Sequence, residues 1–293
     1  MQGQKQSTPC IETVRGMNSP IIDRRRLDEL YAYYDSRDWV HPDPLEFLYA
    51  YQGLPDREVV GLIASALAYG RVEQILKSVS MVLKKIGPSP RDFLERTTPE
   101  SMNKMFCGFK HRFTTGKELV GMLMGAKSVI EKHGSLYACF LSGLNQGDET
   151  VFPALSSFVK AMSGQTCEGV NSLLPLPERG SACKRWNLFL RWMVREDNVD
   201  PGGWHGVNPA MLIVPLDTHM HRICLGLGLT GRKNTSIRTA LDITRAFREI
   251  IPQDPVRYDF ALTRLGIRKD ADPESFMSGV WDPLQGPCRP NPD

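Results

Sequence analysis

Residues 216–223 read Leu216-Asp217-Thr218-His219-Met220-His221-Arg222-Ile223, and the reading of this stretch decides the fold of the chain. Asp217 follows the apolar run of residues 209–216 and is a residue type that caps helices. Met220, Ile223, Cys224 and Leu227 then recur at helical spacing until the glycines between 226 and 231 end the pattern. A carboxylate at such a position bonds the amides of the first turn, and a cap of this kind can also be catalytic.

The pattern extends outward on both sides. Ser181 is placed to cap a helix running to about Arg195, with Ala182, Trp186, Phe189, Leu190 and Met193 as its core stripe and Lys184, Arg191 and Arg195 on another face. Residues 197–208 contain Pro201, Gly202, Gly203 and Gly206 and read as a long loop, in which Trp204 and His205 either line a pocket or anchor the chain. Helices are expected over residues 236–250 and 256–266. Upstream, Asp56 is placed to cap a helix carrying Val59, Val60, Ile63 and Leu67, and Ile75, Val79 and Val82 mark a second one, with Tyr69-Gly70 as the joint. Further helical patterns cover residues 117–132 and 151–162, a first one holds Leu27, Leu30, Tyr31 and Tyr34, and a short one spans residues 44–51. No stretch alternates apolar and polar residues long enough to suggest a sheet, so the fold class is all-α.

The chain of 293 residues is 41% hydrophobic and 24% charged, which suits one large helical domain or two smaller ones. Residues 1–19 and 283–293 lack apolar periodicity and are expected to be disordered tails around a helical domain over residues 20–282. The proline-bearing loop near residues 167–180 is the expected seam, although two lobes sharing one interface would give the same pattern. No apolar run reaches the roughly 18 residues of a membrane span and no secretory signal opens the chain, so a cytoplasmic location is expected. The seven cysteines form no C-x-x-C pair and read as reduced thiols, so neither a disulfide framework nor a metal site follows from them. A net charge of +3 does not by itself argue for nucleic acid; the placement of the basic residues decides. His219 and His221 stand i, i+2 and point about 200° apart on a helix, so a metal-dependent hydrolase built on Asp217, His205, His219 and His221 would need a bound transition metal to be credible.

The 216–223 segment resembles the catalytic segment of the helix-hairpin-helix DNA glycosylases, where a loop delivers an aspartate at the start of a helix in an apolar-Asp-Thr/Val-His setting. Leu176-Pro177-Glu178-Arg179-Gly180 is similar to that family's Leu-Pro-Gly-x-Gly hairpin, which binds backbone phosphate. Residues 252–266 (PQDPVRYDFALTRLG) stand where the family has its next core helix, and residues 58–71 (EVVGLIASALAYGR) resemble the helix leading to its duplex-probing loop, so that Tyr69-Gly70-Arg71 is either that probe or a plain joint. The likeness covers most of residues 56–268 and is densest over 180–223. It implies a two-lobed helical fold and a DNA-repair enzyme, active as a monomer without a cofactor on a damaged or mismatched base in duplex DNA. Asp217 would be its essential carboxylate and Lys184 a Schiff-base nucleophile giving AP-lyase activity. Gly180, Ser181, Arg185, Arg191, His219 and Arg222 would contact DNA.

Four departures accompany the resemblance. Glu178 replaces the first hairpin glycine, and a gap-free alignment puts Ala182, not Lys184, at the nucleophile position. Lys184 therefore serves only in a rearranged hairpin, with a monofunctional, water-using enzyme as the fallback. The path from hairpin to Asp217 is longer than in the family, and the four-cysteine iron–sulfur loop of some members is absent. A non-catalytic DNA-binding protein on the same scaffold stays open as an alternative. The repair reading requires Asp217 to face an open, positively lined groove shared with the Gly180 turn. Taken whole, the chain also resembles a bacterial family described only as a domain of unknown function, which implies no activity.

Overall fold

Local sequence signals set most element boundaries in the computed structural model, which describes residues 24–164, 171–268 and 270–278. In chain order the helices are α1 (Arg24–Tyr34), α2 (Leu54–Ala66), α3 (Val72–Ile86), α4 (Pro90–Arg96), α5 (Pro99–Phe106), α6 (Gly116–His133), α7 (Leu136–Ser142) and α8 (Phe152–Ser163). They continue with α9 (Lys184–Val194), α10 (Thr218–Gly226), α11 (Ile237–Ile250), α12 (Asp259–Ile267) and α13 (Pro273–Ser278). Among the described residues the only sheet is a two-stranded antiparallel hairpin of β1 (Lys110–His111) and β2 (Thr114–Thr115), so the protein is all-α as expected. Prolines open α4, α5 and α8, where a missing N–H costs nothing. The brevity of α4, α5 and α7 explains why periodicity does not reveal them.

One group of helices packs around α6, which touches α4, α5, α7 and α8. In the other, α12 packs on α1 and α10, and α2 lies against α9 and the 3-10 segment Pro44–Ala50. A single apolar cluster runs through both groups, from Leu27 on α1 to Phe276 on α13, so they share one core. The expected tails, Cys10, Cys167 and Cys288, and residues 165–170 of the expected seam lie outside the described residues. Among the described residues no helix is long and apolar enough to cross a membrane.

Two capping expectations need correction. Asp56 lies inside α2, whose N-cap is Gly53, and its carboxylate accepts instead from the Arg91 amide (2.8 Å) at the start of α4. Ser181 does not cap α9: it pairs with Ser236 as an isolated antiparallel bridge, and the helix begins at Lys184 behind Cys183, which adopts φ 49°. The long loop is fastened by Trp204, whose buried indole packs against Tyr137, Phe140 and Phe189 and donates to Glu58 Oε1 at 2.9 Å. Glu58 also accepts from the Leu136 and Tyr137 amides at the start of α7, so one buried carboxylate ties α2, α7 and the loop together. Trp204 is thus an anchor, while His205 is exposed near Glu196 (3.7 Å).

Candidate active site

The 216–223 segment folds as its residues dictate. Asp217 is the N-cap of α10, with Oδ1 accepting from the amides of His219 (2.9 Å) and Met220 (2.8 Å). Its other oxygen, Oδ2, is 2.9 Å from Lys184 Nζ in the first turn of α9. The carboxylate is 19% exposed and the lysine side chain 35%, so the pair is reachable from solvent without being immersed in it. Burial pushes the Asp217 carboxyl up, but Lys184 and the Met220 amide, with a smaller pull from His219, outweigh it and hold the group below its ordinary range. A cap and an ion-pair partner are here the same carboxylate.

Both side chains line a cavity of about 520 Å³ bounded by the α2–α3 joint, α9, the start of α10 and α12. That volume lies within the range of small-molecule sites. Pro42, Ala68, Gly70, Leu188, Trp192 and Phe260 supply apolar wall. Its cations are all matched: Lys184 with Asp217, Arg191 with Asp259 (2.5 Å), Arg264 with Asp43 and Arg268 with Asp270 (2.6 Å). The expected positively lined groove is therefore corrected to a charge-balanced cavity, which suits a neutral occupant better than a phosphate. The Gly180 turn does not line it, although Lys184, four residues on, does.

Asp259 forms part of the floor. It is 2% exposed, its Oδ1 has no partner, and burial raises its carboxyl to about 6 despite the opposing pull of Arg191. Trp192 Nε1 and Arg264 Nε are likewise without partners, so three polar atoms on cavity-lining residues have unused hydrogen-bonding capacity. From the sequence Trp192 reads as core packing, and Asp259 and Arg264 carry no signal of their own, because only tertiary packing sets the three beside Lys184. The raised carboxyl binds its proton more tightly in the folded than in the unfolded state, so its contribution is present below about pH 4 and lost as pH rises through about 6. Relative to Asp259→Asn, wild-type stability is expected to gain about 2–3 kcal/mol when the pH is lowered from 7.5 to 4. Denaturation curves of both proteins across that range check this, and parallel profiles would refute it.

The other expected DNA contacts divide. Gly180 holds a left-handed turn (φ 84°) that needs no side chain, and its carbonyl accepts from the Ile237 amide (3.1 Å). Glu178 forms an ion pair with Lys160 on α8 (2.5 Å), which offsets the charge that would repel phosphate. Gly180, Ser181, His219 and Arg222 are exposed, as are Arg179 and Arg238, which flank the Gly180–Ile237 bond and escaped the sequence reading. Arg185 is corrected from a phosphate contact to a strut: its guanidinium donates to the carbonyls of Ala66 (2.8 Å) and Ser172 (2.5 Å).

Arg191 is corrected as well. It is 4% exposed and buried with Arg195 among Asp200, Asp254 and Asp259, which leaves it no path to a phosphate. Arg191→Ala would strand the buried carboxylate of Asp259 and leave Asp200 with Arg195 alone. Chemical denaturation is expected to show a loss of roughly 3–5 kcal/mol, and a change below 1 kcal/mol would contradict this placement.

The histidines do not assemble a metal site. His221 is buried and its Nε2–H donates to the Arg232 carbonyl (2.7 Å), while His219 faces the cavity and His205 pairs at the loop surface. Among the described residues no group of three or more His, Cys, Asp or Glu could hold an ion. Cys107, Cys139, Cys183 and Cys224 are free thiols.

The fold and site define an all-α protein in which a lysine–aspartate ion pair borders a cavity walled by apolar and ion-paired side chains. Residues 43–268 match the family described as "Protein of unknown function (DUF2400)", and the chain belongs to it. No curated protein and no solved structure matches the chain.

Proposed function

We propose that this protein is a DNA-repair enzyme of the glycosylase type, which removes a damaged or mismatched base from duplex DNA and uses Lys184 for an AP-lyase step. The observation that carries the reading is the 2.9 Å contact between Lys184 Nζ and Asp217 Oδ2 at the wall of a cavity roomy enough to admit a base. The pair does not face a positively lined groove shared with the Gly180 turn, so the reading rests on this contact and its cavity alone. With Cys183 in a left-handed conformation and α9 starting at 184, the lysine and not Ala182 meets the aspartate.

The chemistry follows from the pair. An amine attacks only through its lone pair, and Asp217 Oδ2 is the acceptor within reach of a proton that Lys184 must shed. As the C1′–N bond breaks and the base leaves with a proton, positive charge grows on the sugar, and the fixed carboxylate stabilises it. The Lys184 N–C1′ bond forms as the proton taken up by Asp217 passes to the leaving base, and a second lysine proton moves to O4′ as the C1′–O4′ bond breaks to leave an imine. Loss of a C2′ proton to water with departure of the 3′ phosphate completes the lyase step. The extruded base occupies the charge-balanced cavity, and Arg179, Arg222 and Arg238 lie outside it to meet phosphates. The reading places the enzyme in the cytosol as a monomer and assigns it no cofactor.

A second reading, a duplex-binding protein without chemistry, is favoured by the same cap bonds and ion pair, which are complete without a substrate. Incubation with duplexes carrying single lesions or mismatches separates the two. Free base released above the background of the Asp217→Asn variant is the expected result. Salt-dependent duplex binding without product from any duplex would select the second reading.

A further inference from the structure

The β1–β2 hairpin carries the most exposed large apolar side chain among the described residues, Phe113, which is 63% exposed. Its ring stacks on Tyr69 at 5.0 Å and 29°, so one face is supported and the other is left to solvent. Tyr69 is held from several sides. Its hydroxyl lies 2.6 Å from Thr114 Oγ1, and its carbonyl accepts from His111 Nε2–H at 3.0 Å. The buried His111 ring in turn meets Ser78 Oγ at 2.9 Å on α3, and burial lowers its tendency to take up a second proton. The Arg112 and Arg185 guanidinia lie 6.0 and 5.1 Å from the Tyr69 centroid.

The tip is shaped as well as supported. Arg112 takes φ 52°, a left-handed conformation unfavourable for a residue with a Cβ, and so turns the hairpin between His111 and Thr114. Gly70 (φ 103°) lies under it, where a Cβ would stand 2.8 Å from Arg112 Cδ. Gly70 lines both the Lys184–Asp217 cavity and a shallow groove shared with Arg71, Gln74 and Arg112. The hairpin thus approaches the cavity through Arg112 and Gly70, and its aromatic tip stands among the exposed cations Arg71, Lys110, Arg112 and Lys117.

We infer that the β1–β2 hairpin is a wedge for duplex DNA: Phe113 enters the base stack on the Tyr69 platform, and the surrounding cations hold the flanking phosphates. The physical case is charge complementarity joined to an apolar tip. Basic side chains bind the polyanion without regard to sequence, whereas an exposed ring recovers its hydration cost by stacking on bases, which duplex DNA offers only when a step is opened. The inference rests on the proposed repair function for its purpose, since a wedge near a cavity that admits a base fills the gap left by an extruded base.

The test uses the full chain and a duplex with 2-aminopurine at its centre, whose fluorescence rises when the base unstacks. Wild-type protein should raise the signal and bind the duplex in a salt-dependent way. Phe113→Ala, at an exposed position that leaves the fold unchanged, should abolish the rise and weaken binding about tenfold. Arg112→Ala should weaken binding while keeping part of the rise. A Phe113→Ala protein that unstacks as well as wild type overturns the inference, as does tighter binding to the single strand than to the duplex. Unstacking by wild type with no base released from any duplex would leave the wedge standing and remove the glycosylase reading alone.

Discussion

Replacing Asp217 by asparagine is expected to slow base release by about a thousandfold while the protein stays folded. The two halves of this expectation come from the two oxygens. Asparagine keeps an acceptor for the His219 and Met220 amides and is as good a cap as aspartate, so α10 still starts where it does. What disappears is the negative charge facing Lys184 and the sugar. The ion pair itself is partly solvated and contributes less than about 1 kcal/mol to stability. Single-turnover base release, measured beside a denaturation curve, separates these effects. A stable variant with wild-type rate would remove Asp217 from the mechanism, and a variant that unfolds would show that its charge opposite Lys184 is chiefly structural.

Lys184 should behave differently from its partner. Lys184→Ala is expected to abolish any borohydride-trapped adduct with an abasic duplex, because an alkyl stub offers no nitrogen to form an imine. Lys184→Arg keeps a cation opposite Asp217 but not a nucleophilic amine, and it should lose the adduct as completely. Residual base release by water, about a hundredfold below wild type, should survive in both variants, since Asp217 and the cavity remain. An adduct that persists in Lys184→Arg would assign the nucleophile to another amine. Loss in the alanine variant together with retention in the arginine variant would mark Lys184 as a charge partner only.

The features legible in the sequence were those fixed by neighbours along the chain. Asp217 as a cap, the apolar stripe of α9 and the Tyr69-Gly70 joint follow from local pattern. So does the shared face of Lys184 and Arg191, both of which reach the same cavity one above the other. The environment of that face was not legible. Asp200, Asp254 and Asp259, which absorb Arg191 and Arg195, arrive from the long loop and the start of α12, and nothing near residue 191 announces them.

The start of α9 carries the same lesson at finer scale. Ser181 has the chemistry of a cap, yet its pairing with Ser236 draws the backbone into an extended bridge and moves the helix start to Lys184. A shift of that size decides which side chain meets Asp217. Phe113 escaped for a different reason: two strands of two residues each are too short to leave an alternating pattern.

The account stands on Lys184 and Asp217 forming one reactive pair, and borohydride trapping followed by peptide mapping tests it most directly. Wild-type protein mixed with a duplex bearing a single abasic site and reduced in place should yield one covalent complex, with the sugar remnant on Lys184. A protein that binds this duplex yet gives no complex, or a remnant mapped to any other lysine, would contradict it.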